Sequence, residues 1–127
     1  MDREQILIVD EDEAVHKELR DLIASKFQLE CEHCFDKDDA ISLCKEDVYK
    51  LIIVDPLLPS TYDGEDFIKE QRQFYSINEK TPMILFTEDI DFVKRITETY
   101  QNIHPETKQG AFSKILAPIE QALKEKR

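Results

Sequence analysis

Carboxylates that directly follow apolar runs are the residues of this sequence best placed to do chemistry. Asp10 and Glu11 follow the ILIV run at 6–9, and Asp55 follows the LIIV run at 51–54. Such runs predict strands buried on both faces of a parallel sheet, whose carboxyl ends form the ligand-binding edge of open α/β folds. Clustered carboxylates repel unless a hard cation lies among them, and oxygen ligands suit Mg²⁺. If the two strands are neighbours, the pattern predicts a magnesium site of Asp10, Glu11 and Asp55.

Acidic residues after strands also have purely structural uses. Asp55 taken alone is as typical of a solvated loop or a helix cap as of a site. Asp12 and Glu13 are better explained as the cap and the acidic first turn of a helix than as metal ligands. The site interpretation therefore depends on the elements around these residues.

The rest of the pattern alternates strands with helices. The predicted elements are a strand over 5–9, a helix with its apolar stripe over 15–23, a strand over 27–35, a short helix opening at 36–39, a strand over 51–54, a helix over 65–75, a strand over 82–87 and a helix marked by residues 92–100. This order predicts βαβ units, and hence an α/β fold with a doubly wound parallel sheet. The length fits one domain over residues 1–127.

Composition excludes several functional classes. A net charge of −11 argues against nucleic-acid binding, which needs a basic face. No apolar run is long enough for a membrane span, and the first five residues are too charged for a signal peptide, so a cytoplasmic location is expected. Cys31 and Cys34 have C-x-x-C spacing, but they lack a second ligand pair for zinc and lie in a predicted strand. Reduced structural cysteines are the expectation.

Three segments, in their order and spacing, resemble the receiver domain of bacterial two-component response regulators. They are Ile-Leu-Ile-Val-Asp-Glu-Asp at 6–12, Leu-Ile-Ile-Val-Asp-Pro-Leu-Leu-Pro at 51–59 with Asp63-Gly64 after it, and Met-Ile-Leu-Phe-Thr at 83–87. The resemblance covers nearly the whole chain. It implies a flavodoxin-like (βα)5 fold, with a five-stranded parallel sheet of order 2-1-3-4-5 flanked by five helices.

The same resemblance implies an activity and the residues that carry it. A phosphoryl group is transferred from a sensor-kinase histidine to Asp55 with Mg²⁺. Asp10 and Glu11 match the acidic pair that binds the metal, with Glu11 the better candidate for direct ligation, and Leu57 would offer its backbone carbonyl. Thr87 matches the hydroxyl residue that senses the phosphoryl group. Such a domain is a self-modifying switch, and no turnover of an external substrate is expected.

The resemblance also implies partners, and it leaves rivals open. The partners are a sensor histidine kinase or phosphotransfer protein, and a downstream effector or a fused output domain. One rival is a receiver-like interaction module that is never phosphorylated. Another is a phosphatase with an aspartyl nucleophile, which would want a second acid where Leu57 stands. A flavin-binding role lacks a Gly-rich phosphate loop after the first strand.

The lysine that the family carries after strand five is not marked by the usual Lys-Pro pair. In one register Ala117-Pro118 takes that place, which leaves the lysine missing and only a stub for the last helix. In the other, Lys108 is the site, and the apolar residues from 112 to 123 form one helical stripe. The second register is favoured, although it places Pro118 inside the helix and predicts a kink.

Other positions depart from the family pattern. The aromatic switch position, three before the lysine, is Pro105, and the small residue expected after Thr87 is Glu88. The turn between Pro59 and Gly64 is one residue longer than usual. These departures favour the interaction-module rival, whereas the intact acids favour phosphorylation.

Overall fold

The computed structural model describes residues 5–58 and 63–124. In these ranges five parallel strands form one sheet of order 2-1-3-4-5, numbered along the chain, which confirms the expected architecture. The strands are β1 Gln5–Val9, β2 Glu30–Cys34, β3 Leu51–Val54, β4 Met83–Thr87 and β5 Ile103–Thr107. The helices are α1 Glu13–Phe27, α2 Lys37–Glu46, α3 Asp63–Gln71, α4 Lys94–Thr99 and α5 Leu116–Lys124. The turn predicted to be long after Pro59 lies largely outside the described residues.

The sheet has a hydrophobic core on each face. Alternate residues of β1 divide between the two cores, with Ile6 and Ile8 packing among α1 and α5, and Leu7 and Val9 packing among α2, α3 and α4. All four are completely buried. Each such side chain contributes about 1.5–3 kcal/mol on burial, so an unbroken apolar run is stable only where helices cover both faces.

Helix α1 and strand β2 divide differently from the sequence prediction. The predicted strand over 27–35 is wrong at its start, because α1 continues to Phe27 and β2 begins at Glu30. Phe27 continues the buried stripe of α1 at a spacing of four residues and packs on the same core. Gln28 then ends the helix in the left-handed conformation, with φ of 55°.

Helix α3 is shorter than the predicted helix over 65–75. It ends at Gln71, and Phe74 and Tyr75, expected on its apolar side, are 86% and 59% exposed. The chain turns here because the Arg72 guanidinium donates hydrogen bonds to the carbonyl oxygens of four residues in the two loops beside it. These acceptors are Asn78, Thr81, Gln101 and Asn102.

Two further helices differ from expectation at their amino ends. Helix α4 begins at Lys94, so Phe92 and Val93 precede it instead of belonging to it. A short 3-10 helix over Phe112–Ile115 precedes α5, which starts at Leu116. Pro118 therefore lies in the first turn of α5, where backbone N–H groups lack intrahelical partners, and the change of helix type replaces the predicted kink.

Strand β5 is an edge strand that contains a proline. The Met83 N–H donates to the Asn102 carbonyl, and the Lys108 N–H donates to the Thr87 carbonyl. Because a parallel strand alternates the side to which its backbone groups point, Pro105 points away from β4. Proline at position 105 therefore removes no hydrogen bond from the sheet. It also leaves the unpaired side of β5 with one backbone N–H donor fewer. No helix in the described part of the chain is long and apolar enough to cross a bilayer.

Gly64 in the first turn of α3 is required by a close approach. A Cβ atom at this position would overlap the backbone of Pro56, just after β3. We expect Gly64→Ala to lower the free energy of unfolding by about 1–3 kcal/mol. Helix propensity alone predicts the opposite sign, a gain of about 1 kcal/mol. Urea denaturation measures the change, with the exposed Lys69→Ala as the control, and a stabilised Gly64→Ala would contradict the steric explanation.

Candidate functional site

The site is formed where three strands end at the same edge of the sheet. Strands β1 and β3 are neighbours in register, with Val9 opposite Val54, so Asp10 and Asp55 leave the sheet side by side. The Asp55 N–H donates to the Val9 carbonyl at 2.9 Å and extends this pairing by one residue. Lys108 follows β5, as the favoured register predicts, and the Ala117 register is excluded.

Lys108 joins the two aspartates. Its Nζ lies 2.8 Å from Asp10 Oδ2 and 2.8 Å from Asp55 Oδ2. The other carboxylate oxygens accept backbone N–H groups two residues onward, Asp12 N for Asp10 and Leu57 N for Asp55, each at 2.8 Å. The exposed fractions of the three side chains are 8% for Lys108, 3% for Asp10 and 13% for Asp55. Both carboxylates are thus held in defined orientations.

Burial and charge act in opposite directions on these groups. Burial raises the pKa of Asp10, and the hydrogen bond and charge of Lys108 offset this only in part. Burial by itself lowers the pKa of Lys108, but its hydrogen bonds to Asp10 and Asp55 raise that pKa above its ordinary value overall. Lys108 therefore stays protonated at neutral pH and supplies the positive charge that two adjacent carboxylates need.

Thr87 ends β4 beside this group and is completely buried. Its hydroxyl accepts the Asp89 N–H at 3.0 Å, and its carbonyl accepts the Lys108 N–H at 2.7 Å. The Asp89 carboxylate in turn accepts the Phe92 N–H at 3.1 Å. The Thr87 hydroxyl is therefore part of the turn that leads from β4 to α4. The Thr87 carbonyl fixes the backbone of Lys108.

The predicted metal ligands are brought together only in part. Asp10 and Asp55 meet, whereas Glu11 is exposed. Within residues 5–58 and 63–124, no group of three or more histidine, cysteine, aspartate or glutamate side chains is arranged to hold a metal ion. The Lys108 ammonium already lies between two carboxylate oxygens, so the donor set accepts a cation and fits Mg²⁺ chemically. Magnesium ligation by Glu11 and by the Leu57 carbonyl stays a prediction.

The cysteines do not form a site. Cys31 packs on the α1 and α5 side of the sheet, and Cys34 packs on the opposite side. Burial raises the pKa of Cys31 to about 11 and that of Cys34 to about 12. All three cysteines are free, and Cys31 and Cys34 lie in β2 as predicted, while their reduced state stays a prediction.

Sequence reasoning missed two residues next to the acidic turn. His16 Nε2 lies 2.7 Å from the Asp10 carbonyl oxygen, and His16 Nδ1 lies 2.7 Å from His33 Nδ1. His16 is adjacent to Val15 on the buried side of α1, and a polar ring at such a position is the one signal that the sequence offers. The meeting with His33 depends on the packing of α1 on β2.

Removal of the Lys108 charge gives a pH-dependent test of this arrangement. We expect Lys108→Met to lower the free energy of unfolding by about 2–4 kcal/mol near pH 8, because the buried Asp10 and the partly buried Asp55 lose their cation. The loss should be smaller near pH 5. A carboxyl whose pKa is higher in the folded state contributes stability below its unfolded pKa, and this contribution disappears as pH rises through the folded pKa.

Urea titrations across this pH range measure the effect of Lys108→Met. The exposed Lys114→Met is the matched control and should change stability by no more than about 0.5 kcal/mol. Added Mg²⁺ should restore part of the stability of Lys108→Met at the higher pH. A loss that is independent of pH would contradict the electrostatic explanation.

Comparison with known proteins agrees with the fold described above. The family model described as response regulator receiver domain matches residues 6–104, which stops short of Lys108. Similar solved structures include a CheY-like response regulator receiver domain from Methylobacillus flagellatus, which is 18% identical with a TM-score of 0.77 and covers 96% of this chain and 99% of that chain. A signal receiver domain of a two-component histidine kinase from Clostridium thermocellum is 16% identical with a TM-score of 0.81. The match covers 95% of this chain and 98% of that chain.

A third structure is more similar in sequence. The signal receiver domain of an HD domain-containing protein from Pseudomonas fluorescens Pf-5 is 27% identical with a TM-score of 0.75, and it covers 95% of this chain and 87% of that chain. No curated protein matches the chain at a significant level. The family match extends over most of the sequence and includes both Asp10 and Asp55. The chain therefore belongs to the response regulator receiver domain family.

Proposed function

We propose that this receiver domain accepts a phosphoryl group on Asp55 from a phosphohistidine, with Mg²⁺, and relays the signal by a conformational change. The observation that carries the proposal is the convergence of Asp55 Oδ2 and Asp10 Oδ2 on the Lys108 ammonium. Two carboxylates thus lie together at the carboxyl ends of the strands, and both bind the ammonium cation of Lys108. Phosphoryl transfer needs a nucleophile together with positive charge around the transferred group.

The chemistry assigns a role to each atom of the group. Asp55 Oδ1 accepts the Leu57 N–H, and Oδ2, which accepts from the Lys108 ammonium, would be the nucleophile. Its attack forms an O–P bond as the P–N bond to the donor histidine breaks, and that nitrogen leaves with the electron pair. Lys108 Nζ then pairs with the phosphoryl oxygens. Asp10, Glu11 and the Leu57 carbonyl would hold Mg²⁺, which supplies charge neutralisation at the transferred group.

Thr87 is the proposed sensor. Its hydroxyl, which now accepts the Asp89 N–H, would turn to donate to a phosphoryl oxygen. This change would release the turn between β4 and α4. Pro105 has no aromatic ring to follow the hydroxyl, so the signal would pass through this turn and through the backbone contact between Thr87 and Lys108.

The proposed partners follow from the chemistry and the family. A sensor histidine kinase or phosphotransfer protein would supply the phosphoryl group in the cytoplasm, and an effector protein or output domain would receive the signal. Similar solved structures come from a two-component histidine kinase, an HD domain-containing protein and an adenylate cyclase. The domain modifies itself and turns over no external substrate in this proposal.

A second candidate is an interaction module that is not phosphorylated. Pro105 at the switch position and the bulky Glu88 after Thr87 favour it. Both candidates require the same fold, and they differ in whether Asp55 reacts.

Incubation with acetyl phosphate and Mg²⁺, followed by intact-protein mass spectrometry, separates the two candidates. We expect the mass of one phosphoryl group to be gained by wild type and by Asp38→Asn, which changes an exposed acid of α2. Asp55→Asn should gain nothing, because its amide is not a nucleophile. An equal gain in Asp55→Asn would place the reaction elsewhere, and no gain in wild type would favour the interaction module.

The lifetime of the phosphorylated state depends on Leu57. Hydrolysis needs a water opposite the O–P bond, and this apolar side chain gives that water no hydrogen bond. Asp89 lies beyond Thr87, and its carboxylate is engaged with the Phe92 N–H. We therefore expect the aspartyl phosphate to hydrolyse faster in Leu57→Asn than in wild type, by up to about a hundredfold. Decay after acetyl phosphate removal measures this, with Leu57→Ile as the apolar control, and equal or slower decay in Leu57→Asn would refute it.

A further inference from the structure

Asp10 is held by hydrogen bonds on every polar atom. Its N–H donates to the Cys34 carbonyl at 3.2 Å, and its carbonyl lies 2.7 Å from His16 Nε2. Its two carboxylate oxygens accept from Asp12 N and Lys108 Nζ. Three of these partners are backbone groups or the site lysine. His16 is the one side chain outside the acidic site that takes part.

The hydrogen-bonding rules determine which ring nitrogen of His16 carries the proton. A carbonyl oxygen only accepts, so the nitrogen beside it, His16 Nε2, must be the donor. In neutral imidazole the other nitrogen, Nδ1, is then an acceptor. His33 Nδ1, at 2.7 Å, must therefore donate to it.

The surroundings of His33 agree with this direction of donation. Donation from its Nδ1 leaves His33 Nε2 without a proton in the neutral ring. That atom is buried and has no hydrogen-bond partner among residues 5–58 and 63–124. Burial also lowers the pKa of His33, which favours the neutral ring. The Phe35 ring packs against the His16 ring, with 4.3 Å between the two ring centroids.

We propose that His16 is a positioning residue for the acidic turn, and that His33 selects the His16 tautomer that performs this role. With its proton on Nε2, His16 anchors the Asp10 carbonyl and so aims the carboxylate at the cation site. With its proton on Nδ1, His16 would turn a lone pair toward that carbonyl and repel it. The part that concerns Mg²⁺ rests on the proposed function, and the tautomers and the anchoring do not.

Two substitutions separate the two nitrogens. Glutamine places an amide nitrogen close to the position of His16 Nε2, so His16→Gln should keep the donor to Asp10. Asparagine reaches only the position of Nδ1, so His16→Asn should face His33 and leave the Asp10 carbonyl without its donor. His104→Asn is the control, because that histidine is exposed on β5.

The first experiment uses metal-free protein. Nitrogen-15 NMR of the histidine rings should report the proton on Nε2 of His16 and on Nδ1 of His33. The Asp12 amide, which donates to Asp10 Oδ1 at 2.8 Å, should exchange about tenfold faster in His16→Asn than in wild type, and should be unchanged in His16→Gln. The opposite tautomers, or equal Asp12 exchange in all variants, would overturn the proposal.

The second experiment is a Mg²⁺ titration followed by backbone amide shifts. We expect the affinity to fall about tenfold in His16→Asn and in His33→Leu, and to stay within about twofold of wild type in His16→Gln. Because an amide has no tautomers, His33→Leu should add nothing in the His16→Gln background. A full additional loss there would assign His33 a merely structural role and overturn its part of the proposal.

The two experiments separate failure of this inference from failure of the proposed function. If wild type does not respond to Mg²⁺ while Asp12 exchange follows the predicted order, the positioning role stands and the metal part of the proposed function fails. If wild type binds Mg²⁺ and His16→Asn binds it equally well, the positioning role is overturned and the proposed function is unaffected.

Discussion

The ion pairs between one lysine and two aspartates constrain the whole structure. Lys108 is 98 residues from Asp10 and 53 residues from Asp55 in sequence, so the contact requires β1, β3 and β5 to be in place together. Burying three charges is costly in free energy, and the cost is offset only when each charge meets partners in good geometry. The backbone donors of Asp12 and Leu57 supply the remaining hydrogen bonds. The site is therefore formed only when the sheet is complete.

The amino ends and the carboxyl ends of the strands carry different polar groups. At the amino ends of the strands, Asn78 is completely buried and bonds to Cys44, Asp47, Tyr49 and Thr81. This cluster and Arg72 tie the loops to the core. At the carboxyl ends, Asp10 and Asp55 are instead charged, and both are paired with the Lys108 ammonium. The two ends of the strands thus carry different kinds of polar contact.

The residues of the acidic site are also hydrogen-bonded to residues outside it. The backbone of Asp10 is bonded to Cys34 and His16, and Thr87 bonds to both Asp89 and Lys108. Asp10 is therefore bonded to α1, and Lys108 is bonded through Thr87 to the turn that precedes α4. Proline at position 105 protects the edge strand, and it leaves that position without an aromatic ring.

The sequence alone determined the sheet and the two aspartates. Residues 6–9 and 51–54 are apolar at every position, which is stable only in strands covered on both faces, and parallel strands bring Asp10 and Asp55 to one edge. The tertiary structure decided the rest. Helix α3 ends at Gln71, where Arg72 binds carbonyl oxygens both in the next loop and in the loop before β5. Lys108 is selected because β5 pairs with β4 up to Thr107. The meeting of His16 with His33 depends on helix packing that no local pattern encodes.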